Sequence, residues 1–295
     1  MSKLLEILTA QAVVLADGAM GTMLMAVGLE PGTSPERWNA EHPERVQAVH
    51  RAYAEAGTRL VLTNTFGGTR LRLSLHGLGD RIAELNQAAV SLAREAVADL
   101  PYTILIGGSI GPTGQMLEPL GALAYDDAVS VFAEQAAVLD ASGVDYFQVE
   151  TFGDLREMDA AIQGVRSVSS LPIIATMSFD TRRRTMMGVR PEQAASHLAG
   201  LGVAALGANC GAGIEDTLYA VGEMHAAAPE AVIVAKSNAG LPRQGEGGVM
   251  VYDGTPERMA DYAQEARGRG ARIIGACCGS TPAHIRAMAE ALGLA

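Results

Sequence analysis

Three cysteines are the residues of this chain best placed to do chemistry. Cys210 follows the apolar run VAALGAN, and Cys277 and Cys278 follow the apolar run RIIGA, so all three come directly after a predicted strand. Three cysteines in 295 residues are too few for a disulfide scaffold, and an odd count leaves one of them unpaired, which favours a reducing compartment. We therefore expect a cytoplasmic protein with three free thiols.

The residue types around the cysteines favour a metal site over a thiol nucleophile. A nucleophilic cysteine needs a positioned histidine base, and none of the six histidines follows a predicted strand. Thiolates without histidine or carboxylate partners suit a soft, tetrahedral metal ion, and zinc is the first choice. Three protein thiolates leave the fourth position open, and a thiol bound there is deprotonated. The sequence thus predicts transfer of an electrophile, most simply a methyl group, onto a substrate sulfur.

Eight apolar runs, each ending in a polar or glycine-rich segment, alternate with amphipathic helical patterns. The runs with their ends are VVLADGAMG, LVLTNTFGG, TILIGGSIGPTG, DYFQVETFG, PIIATMSFD, VAALGANCG, VIVAKSNAG and RIIGACCG. Continuous apolar strands between helices are typical of a parallel sheet that is covered on both faces. Eight such units predict an α/β fold, a single (β/α)8 TIM barrel over residues 1–295, with a doubly wound open sheet as the alternative.

Polar residues at the ends of other predicted strands are candidates for the same site. Asp17 and Gly18 follow the first strand, Glu150 ends the fourth, and Asn238 follows the seventh. In a barrel of this kind the active site lies at the carboxyl ends of the strands and in the loops that follow them. We therefore expect these residues to lie near the three cysteines.

The composition restricts the classes of partner. Lys plus Arg number 22 and Asp plus Glu 33, so the net charge is −11 and nucleic acid is not an expected partner. The N-terminus lacks a secretory signal pattern, and we find no stretch that reads as a membrane span. An apolar content of 48% with 34 glycines fits a globular protein built on small residues.

The segments at the strand ends resemble those of the homocysteine S-methyltransferase family, which includes the homocysteine-binding barrel of cobalamin-dependent methionine synthase. The matching segments, in family order, are DGAMGTML at 17–24, LTNTFGGTR at 62–70, SIGPTG at 109–114, VETFGDL at 149–155, GANCG at 207–211, SNAGLP at 237–242 and GACCGSTPAHI at 275–285. The resemblance implies zinc held by Cys210, Cys277 and Cys278, with homocysteine sulfur in the open position. The zinc-bound thiolate would then attack an activated methyl group and give methionine.

The same resemblance implies roles for the other residues at the strand ends. Glu150 is expected to receive the substrate ammonium, and the Asp17–Gly18 turn its carboxylate, chiefly through backbone N–H groups. A bare Asp17 carboxylate would repel the carboxylate of the substrate. Asn238 is outside these implied roles: it could cap the turn that follows it, and our own hypothesis is that it lies close enough to the zinc to take the open position when substrate is absent. Ser237 stands where members of the family usually carry proline.

The sequence says less about the methyl donor. Segment 109–121 is most similar to the methionine-synthase barrel, which favours methylcobalamin or methyl-folate presented by a separate corrinoid- or folate-binding protein. No aromatic-rich site for a quaternary ammonium is evident, and Trp38 is the only tryptophan. The alternatives are a donor such as S-methylmethionine, another small sulfonium or betaine, and a homocysteine-binding subunit of a split methionine synthase. A metal-dependent hydrolase or aldolase is a further class, although such barrels usually supply histidines and carboxylates.

Overall fold

All eight predicted apolar runs form parallel strands in the computed structural model, which describes residues 2–245 and 250–294. The barrel strands are β1 (Val14–Leu15), β2 (Leu60–Leu62), β3 (Leu105–Ile110), β4 (Tyr146–Phe152), β5 (Ile173–Met177), β6 (Ala205–Cys210), β7 (Ile233–Ser237) and β10 (Ala271–Ala276), while β8 (Pro242–Gln244) and β9 (Met250–Tyr252) form a separate antiparallel hairpin. The predicted domain also includes Met1, residues 246–249 and Ala295, which lie outside the described residues.

The strands close into a ring. Their order is β1, β10, β7, β6, β5, β4, β3, β2, and a parallel bridge between Ala16 and Leu60 joins the two ends of this order. The Asp17 N–H donates a hydrogen bond of 3.0 Å to the Leu60 carbonyl at the same seam. The predicted (β/α)8 barrel is therefore confirmed, and the open-sheet alternative is wrong.

Helices cover the outside of the ring, and shorter ones occupy its ends and loops. The helices are α1 (Lys3–Ala10), α2 (Gly21–Ala26), α3 (Trp38–Glu41), α4 (Pro43–Glu55), α5 (Arg70–Ser74), α6 (Ile82–Val97), α7 (Tyr125–Ala141), α8 (Leu155–Val168), α9 (Pro191–Gly200), α10 (Ile214–Ala227), α11 (Pro256–Gly268) and α12 (Pro282–Leu292). Proline opens α4, α9, α11 and α12, where its fixed φ suits the first helical position. Among the described helices, none combines the length and the apolarity needed to cross a membrane.

The interior of the barrel changes from apolar to polar along the strands. The apolar part is a cluster near the amino ends of the strands, and α1 contributes to it. The cluster contains Leu4, Leu8, Val14, Ala16, Leu60, Leu105, Tyr146, Ile174, Ala205, Val234 and Ile273. Side chains two residues apart on a strand point the same way. Val234 is therefore followed on the inner side by Lys236, and Tyr146 by Gln148 and Glu150. This alternation brings buried polar groups to the carboxyl end of the barrel.

Candidate metal centre

The three cysteines converge at the carboxyl end of the barrel. Cys210 ends β6, and Cys277 and Cys278 follow β10, with β7 between these two strands. The Sγ atom of Cys210 lies 2.9 Å from that of Cys277 and 3.9 Å from that of Cys278. All three sulfurs lie within 4.8 Å of one another, and no other group of His, Cys, Asp or Glu in the described residues is arranged to share a metal ion.

Contacts inside the barrel hold the backbone at Cys210 in an uncommon conformation. Cys210 has a φ of 58°, in the left-handed region that non-glycine residues seldom adopt. The preceding Asn209 side chain accepts hydrogen bonds from the Thr151 N–H at 2.9 Å and from the Thr176 hydroxyl at 2.7 Å. Because both partners are fixed in neighbouring strands, Asn209 anchors the turn that aims the Cys210 thiol at the other two.

Burial prevents the three thiols from ionising together unless a cation is bound. Hydrogen bonds to the other two thiols, and burial, raise the pKa of Cys210 well above its usual value. Hydrogen bonds from Cys210 and Cys277 lower the pKa of Cys278 to about 3. In the metal-free cluster the hydrogen bonds therefore favour ionisation of one thiol over ionisation of all three. Further ionisation needs a compensating positive charge, and an all-sulfur ligand set fits a soft divalent metal.

The thiols lie on the floor of a cavity of about 720 Å³ that opens at the carboxyl end of the barrel. Of the four other predicted site residues, Asp17, Gly18 and Glu150 line the cavity with the cysteines, whereas Asn238 is buried beside it. The amide Nδ2 of Asn238 donates to the Gly211 carbonyl at 3.0 Å, and its Oδ1 has no hydrogen-bond partner among the described residues.

Glu150 is a buried carboxyl in the cavity wall. The hydroxyl of Ser109, at the end of β3, donates to Glu150 Oε1 at 2.6 Å. Burial raises the pKa of Glu150 to about 7, although the charge of Lys236 and the hydrogen bond from Ser109 oppose the rise. The carboxyl is therefore partly protonated near neutral pH, and a cation placed against it would favour the ionised form.

An ion pair that the sequence analysis missed lies at the bottom of the same cavity. Lys236 Nζ donates to Asp17 Oδ1 at 2.8 Å, and the Leu62 N–H donates to Asp17 Oδ2 at 2.7 Å. The two charged side chains are only 4% and 6% exposed. Burial alone would lower the pKa of Lys236, but the charges of Asp17 and Glu150 raise it above its usual value. Asp17 is thus a carboxylate with two donors rather than a bare anion.

The upper wall of the cavity comes from the loops that follow the strands, including the long loop after β1, which the sequence predicts to cover the site. Met25 and Phe66 line it, as does Arg72, whose guanidinium has no ion-pair partner among the described residues. Tyr252 of β9 also lines it, and a Cβ at Gly279 would overlap the Tyr252 ring, which places this ring beside the cysteine pair. The short hairpin carries no strong period-two pattern, so only the structure reveals it as part of the wall.

The family of the chain follows from comparison with known proteins. The homocysteine S-methyltransferase family model matches residues 14–292. Methionine synthases from Mycobacterium tuberculosis and Mycobacterium leprae are each 33% identical over 310 residues. These alignments cover 98% of this chain but 25% of each synthase, so the chain spans about a quarter of the length of these curated relatives.

Solved structures match over the whole barrel. The metallated form of the homocysteine methyltransferase MmuM from Escherichia coli has a TM-score of 0.81 at 26% identity and covers 96% of this chain and 97% of its own. The oxidised form gives a TM-score of 0.81 at 27% identity, with 97% and 98% covered. Together with the family model, these matches confirm the resemblance of the strand-end segments. The chain belongs to the homocysteine S-methyltransferase family.

Proposed function

We propose that this chain transfers a methyl group to homocysteine and forms methionine, with Cys210, Cys277 and Cys278 as the ligands of a zinc ion. The observation that carries the proposal is the convergence of three thiols on the floor of the 720 Å³ cavity. That volume is in the range of small-molecule sites and leaves space above the thiols for a donor. Zinc at this position would hold the substrate thiol as a thiolate at neutral pH.

Two groups on the cavity floor suit the charged ends of an amino acid. Glu150 is the anion proposed for the substrate ammonium, and Ser109 fixes its orientation. The Gly18 N–H is the donor proposed for the substrate carboxylate, because it has no acceptor among the described residues, unlike the N–H of Asp17. A Cβ at Gly18 would overlap Tyr53, so the position requires glycine.

In the transfer step, a bond forms between the substrate sulfur and the methyl carbon of the donor. The bond from that carbon to the leaving atom of the donor breaks, and its electron pair leaves with the donor. An in-line displacement requires the donor to lie above the thiols, in the upper part of the cavity. The product is a neutral thioether, a weaker ligand than a thiolate, which favours release of methionine.

The upper cavity favours a small methylated cation that also carries a carboxylate. Phe66 and Tyr252 offer aromatic rings, and such rings attract sulfonium and quaternary ammonium groups. Arg72 offers a guanidinium that has no ion-pair partner among the described residues, which suits a carboxylate. We therefore propose S-methylmethionine or betaine as the first donor class.

A methyl group presented by a second protein is the other candidate, and the rim of the barrel supports it. Exposed apolar side chains stand on the loops around the cavity, including Leu75 at 68%, Met116 at 50%, Leu120 at 66% and Met186 at 70% exposure. Exposed apolar side chains around a site can mark a surface that binds another protein. In this case the chain would be the homocysteine-binding part of a system with a corrinoid- or folate-carrying partner.

Asn238 is proposed to compete for the open metal position when substrate is absent. Its Oδ1 has no hydrogen-bond partner in the part of the chain that the structure describes, and its Nδ2 donates to the carbonyl of Gly211, the residue after Cys210. Zinc-edge spectroscopy of the zinc-loaded protein should then show an inner shell that changes when homocysteine is added. An unchanged inner shell on homocysteine binding would contradict this role.

A donor panel tests the proposed function. The zinc-loaded protein is given homocysteine with S-methylmethionine, betaine, S-adenosylmethionine, methylcobalamin, or methyl-folate with and without a corrinoid protein, and methionine is measured. Methionine from either of the first two supports the small cation, and methionine from methylcobalamin or the corrinoid protein supports the second candidate. Failure of the zinc-loaded protein to bind homocysteine would refute the proposal, and cleavage of a donor without any thiol acceptor would point to a hydrolase.

A further inference from the structure

Lysine is rare in this chain, and one of its two lysines is buried under the cavity. Lys3 and Lys236 are the only lysines among the 22 basic residues, the rest being arginine. The Lys3 side chain is 65% exposed, whereas that of Lys236 is 4% exposed. An ammonium is a compact point charge, while a guanidinium needs room for a planar fork of donors. The choice of lysine at position 236 therefore fits a site that requires one localised positive charge.

The groups that face this ammonium are acidic. Asp17 accepts its hydrogen bond at 2.8 Å, and Glu150 and Cys277 lie close enough to act on its charge. In the sheet, Lys236 pairs with Asn209 on one side and Gly275 on the other, neither of which is charged. Lys236 is thus the single cation on the cavity floor among the described residues.

The ion pair between Lys236 and Asp17 reduces the repulsion that Asp17 would exert on the carboxylate of the proposed substrate. Gly18, whose N–H is the proposed donor to the substrate carboxylate, follows Asp17 directly in the chain. A bare carboxylate at position 17 would repel an incoming carboxylate, and the repulsion would be large because the low dielectric of a buried site screens it poorly. The Lys236 ammonium, which contacts Asp17 inside the barrel, neutralises that charge.

We propose that Lys236 is a positioning residue for the carboxylate of the thiol substrate, acting through Asp17. Its ammonium neutralises Asp17 and holds it against the Leu62 N–H, so that the adjacent Gly18 N–H can receive an anion. The role rests on the proposed function, because it assumes an amino-acid thiol as substrate. It makes Lys236 a determinant of specificity for thiols that carry a carboxylate.

The test compares two thiols that differ only in the carboxylate. Homocysteine and 3-aminopropane-1-thiol, which is homocysteine without its carboxylate, are titrated calorimetrically into zinc-loaded wild-type protein and Lys236→Met. Lys236→Met should raise the Kd for homocysteine by about tenfold or more, as expected when one partner of a buried charge pair is lost. The Kd for 3-aminopropane-1-thiol should stay unchanged or fall, because Lys236→Met removes a positive charge that repels the substrate ammonium.

A double variant and a matched control separate this role from a purely structural one. Asp17→Asn combined with Lys236→Met removes both charges and should recover most of the affinity for homocysteine. Lys3→Met removes the other lysine, which pairs with the buried Asp145 at 3.0 Å and does not line the cavity, and should leave both Kd values unchanged. Melting temperatures of all variants report on folding.

The outcomes for Lys236 and for the proposed function are distinguishable. If Lys236→Met weakens both thiols equally, or if the double variant recovers nothing, the positioning role is wrong although the proposed function stands. If wild-type protein loaded with zinc binds neither thiol, the proposed function itself fails. A loss that is selective for homocysteine and is reversed by the double variant supports the inference.

Discussion

Replacing Glu150 with glutamine should stabilise the metal-free fold above neutral pH. The pKa of Glu150 is raised from its ordinary value of 4.5 to about 7, mainly because the carboxyl is buried. A carboxyl whose pKa is raised by folding adds stability that is fully present below about pH 4.5 and is lost as the pH rises through about 7. Since each pKa unit corresponds to about 1.4 kcal/mol, the loss approaches roughly 3 kcal/mol in alkaline solution.

Glutamine at position 150 cannot ionise, so the variant should not lose this stability as the pH rises, and it can keep the hydrogen bond from Ser109. Glu150 is 7% exposed, so solvent screens its charge little, and a glutamine oxygen can still accept the hydrogen bond from Ser109. Urea unfolding of metal-free wild type and Glu150→Gln should give similar free energies near pH 5. Near pH 8 the variant should be more stable by roughly 2 to 3 kcal/mol.

The same substitution should weaken homocysteine binding. The zinc-loaded variant lacks the anion proposed for the substrate ammonium, and loss of a buried charge partner is expected to raise the Kd by about thirtyfold or more. In wild type the Kd should fall as the pH rises to about 7 and Glu150 ionises. The variant should retain only the pH dependence that comes from the substrate thiol.

Glu157→Gln is the matched control for this prediction. Glu157 is also a buried carboxyl with a pKa raised by burial, and the Thr113 hydroxyl donates to it at 2.6 Å, but it does not line the cavity. Its replacement should change the pH dependence of stability and leave the Kd for homocysteine unchanged. The reasoning is refuted if Glu150→Gln binds homocysteine as tightly as wild type near pH 8, or if Glu157→Gln weakens binding equally.

Three further outcomes test the metal and donor assignments. Cys278→Ala should abolish both stoichiometric zinc, measured by mass spectrometry of the metal, and methionine formation, while circular dichroism stays that of the folded barrel. Removing the metal from wild type with a chelator should abolish homocysteine binding measured calorimetrically, and added zinc should restore it. Arg72→Met should raise the KM for a carboxylate-bearing donor by about tenfold and leave the Kd for homocysteine unchanged, so an equal change in both would contradict its assignment.

The thiol cluster could be predicted from sequence because a parallel barrel places the carboxyl ends of all its strands on one rim. Once VAALGAN and RIIGA are identified as strands, the residues that follow them must lie on the same rim. Cys210, Cys277 and Cys278 could therefore be grouped without knowing the register. Asp17 and Glu150 were placed in the cavity by the same argument.

The positions of the strands in the sequence do not predict which side chains contact Asp17 or complete the cavity wall. The ion pair between Lys236 and Asp17 joins residues far apart in the chain, and it forms because the side chain of Lys236 faces the barrel axis at the height of the β1 end. Arg72 and Tyr252 reach the cavity from a short helix and a short hairpin. Such loops lack the periodicity by which a strand or a long helix is identified.

The balance of charge on the cavity floor explains why the site should favour cations. Lys236 neutralises Asp17, which leaves Glu150 and the three thiols without positive partners among the described residues. Burial raises the pKa of Glu150 to about 7, and mutual hydrogen bonding raises the pKa of Cys210 while it lowers that of Cys278. The metal-free site therefore holds less negative charge than its four acidic groups could carry. A cation favours the ionised form of an acid beside it. A metal ion bound at the thiols and an ammonium bound at Glu150 would therefore each promote ionisation of the groups they contact. A substrate that carries both a thiol and an ammonium could bind at both places, with its sulfur on the metal ion and its ammonium at Glu150.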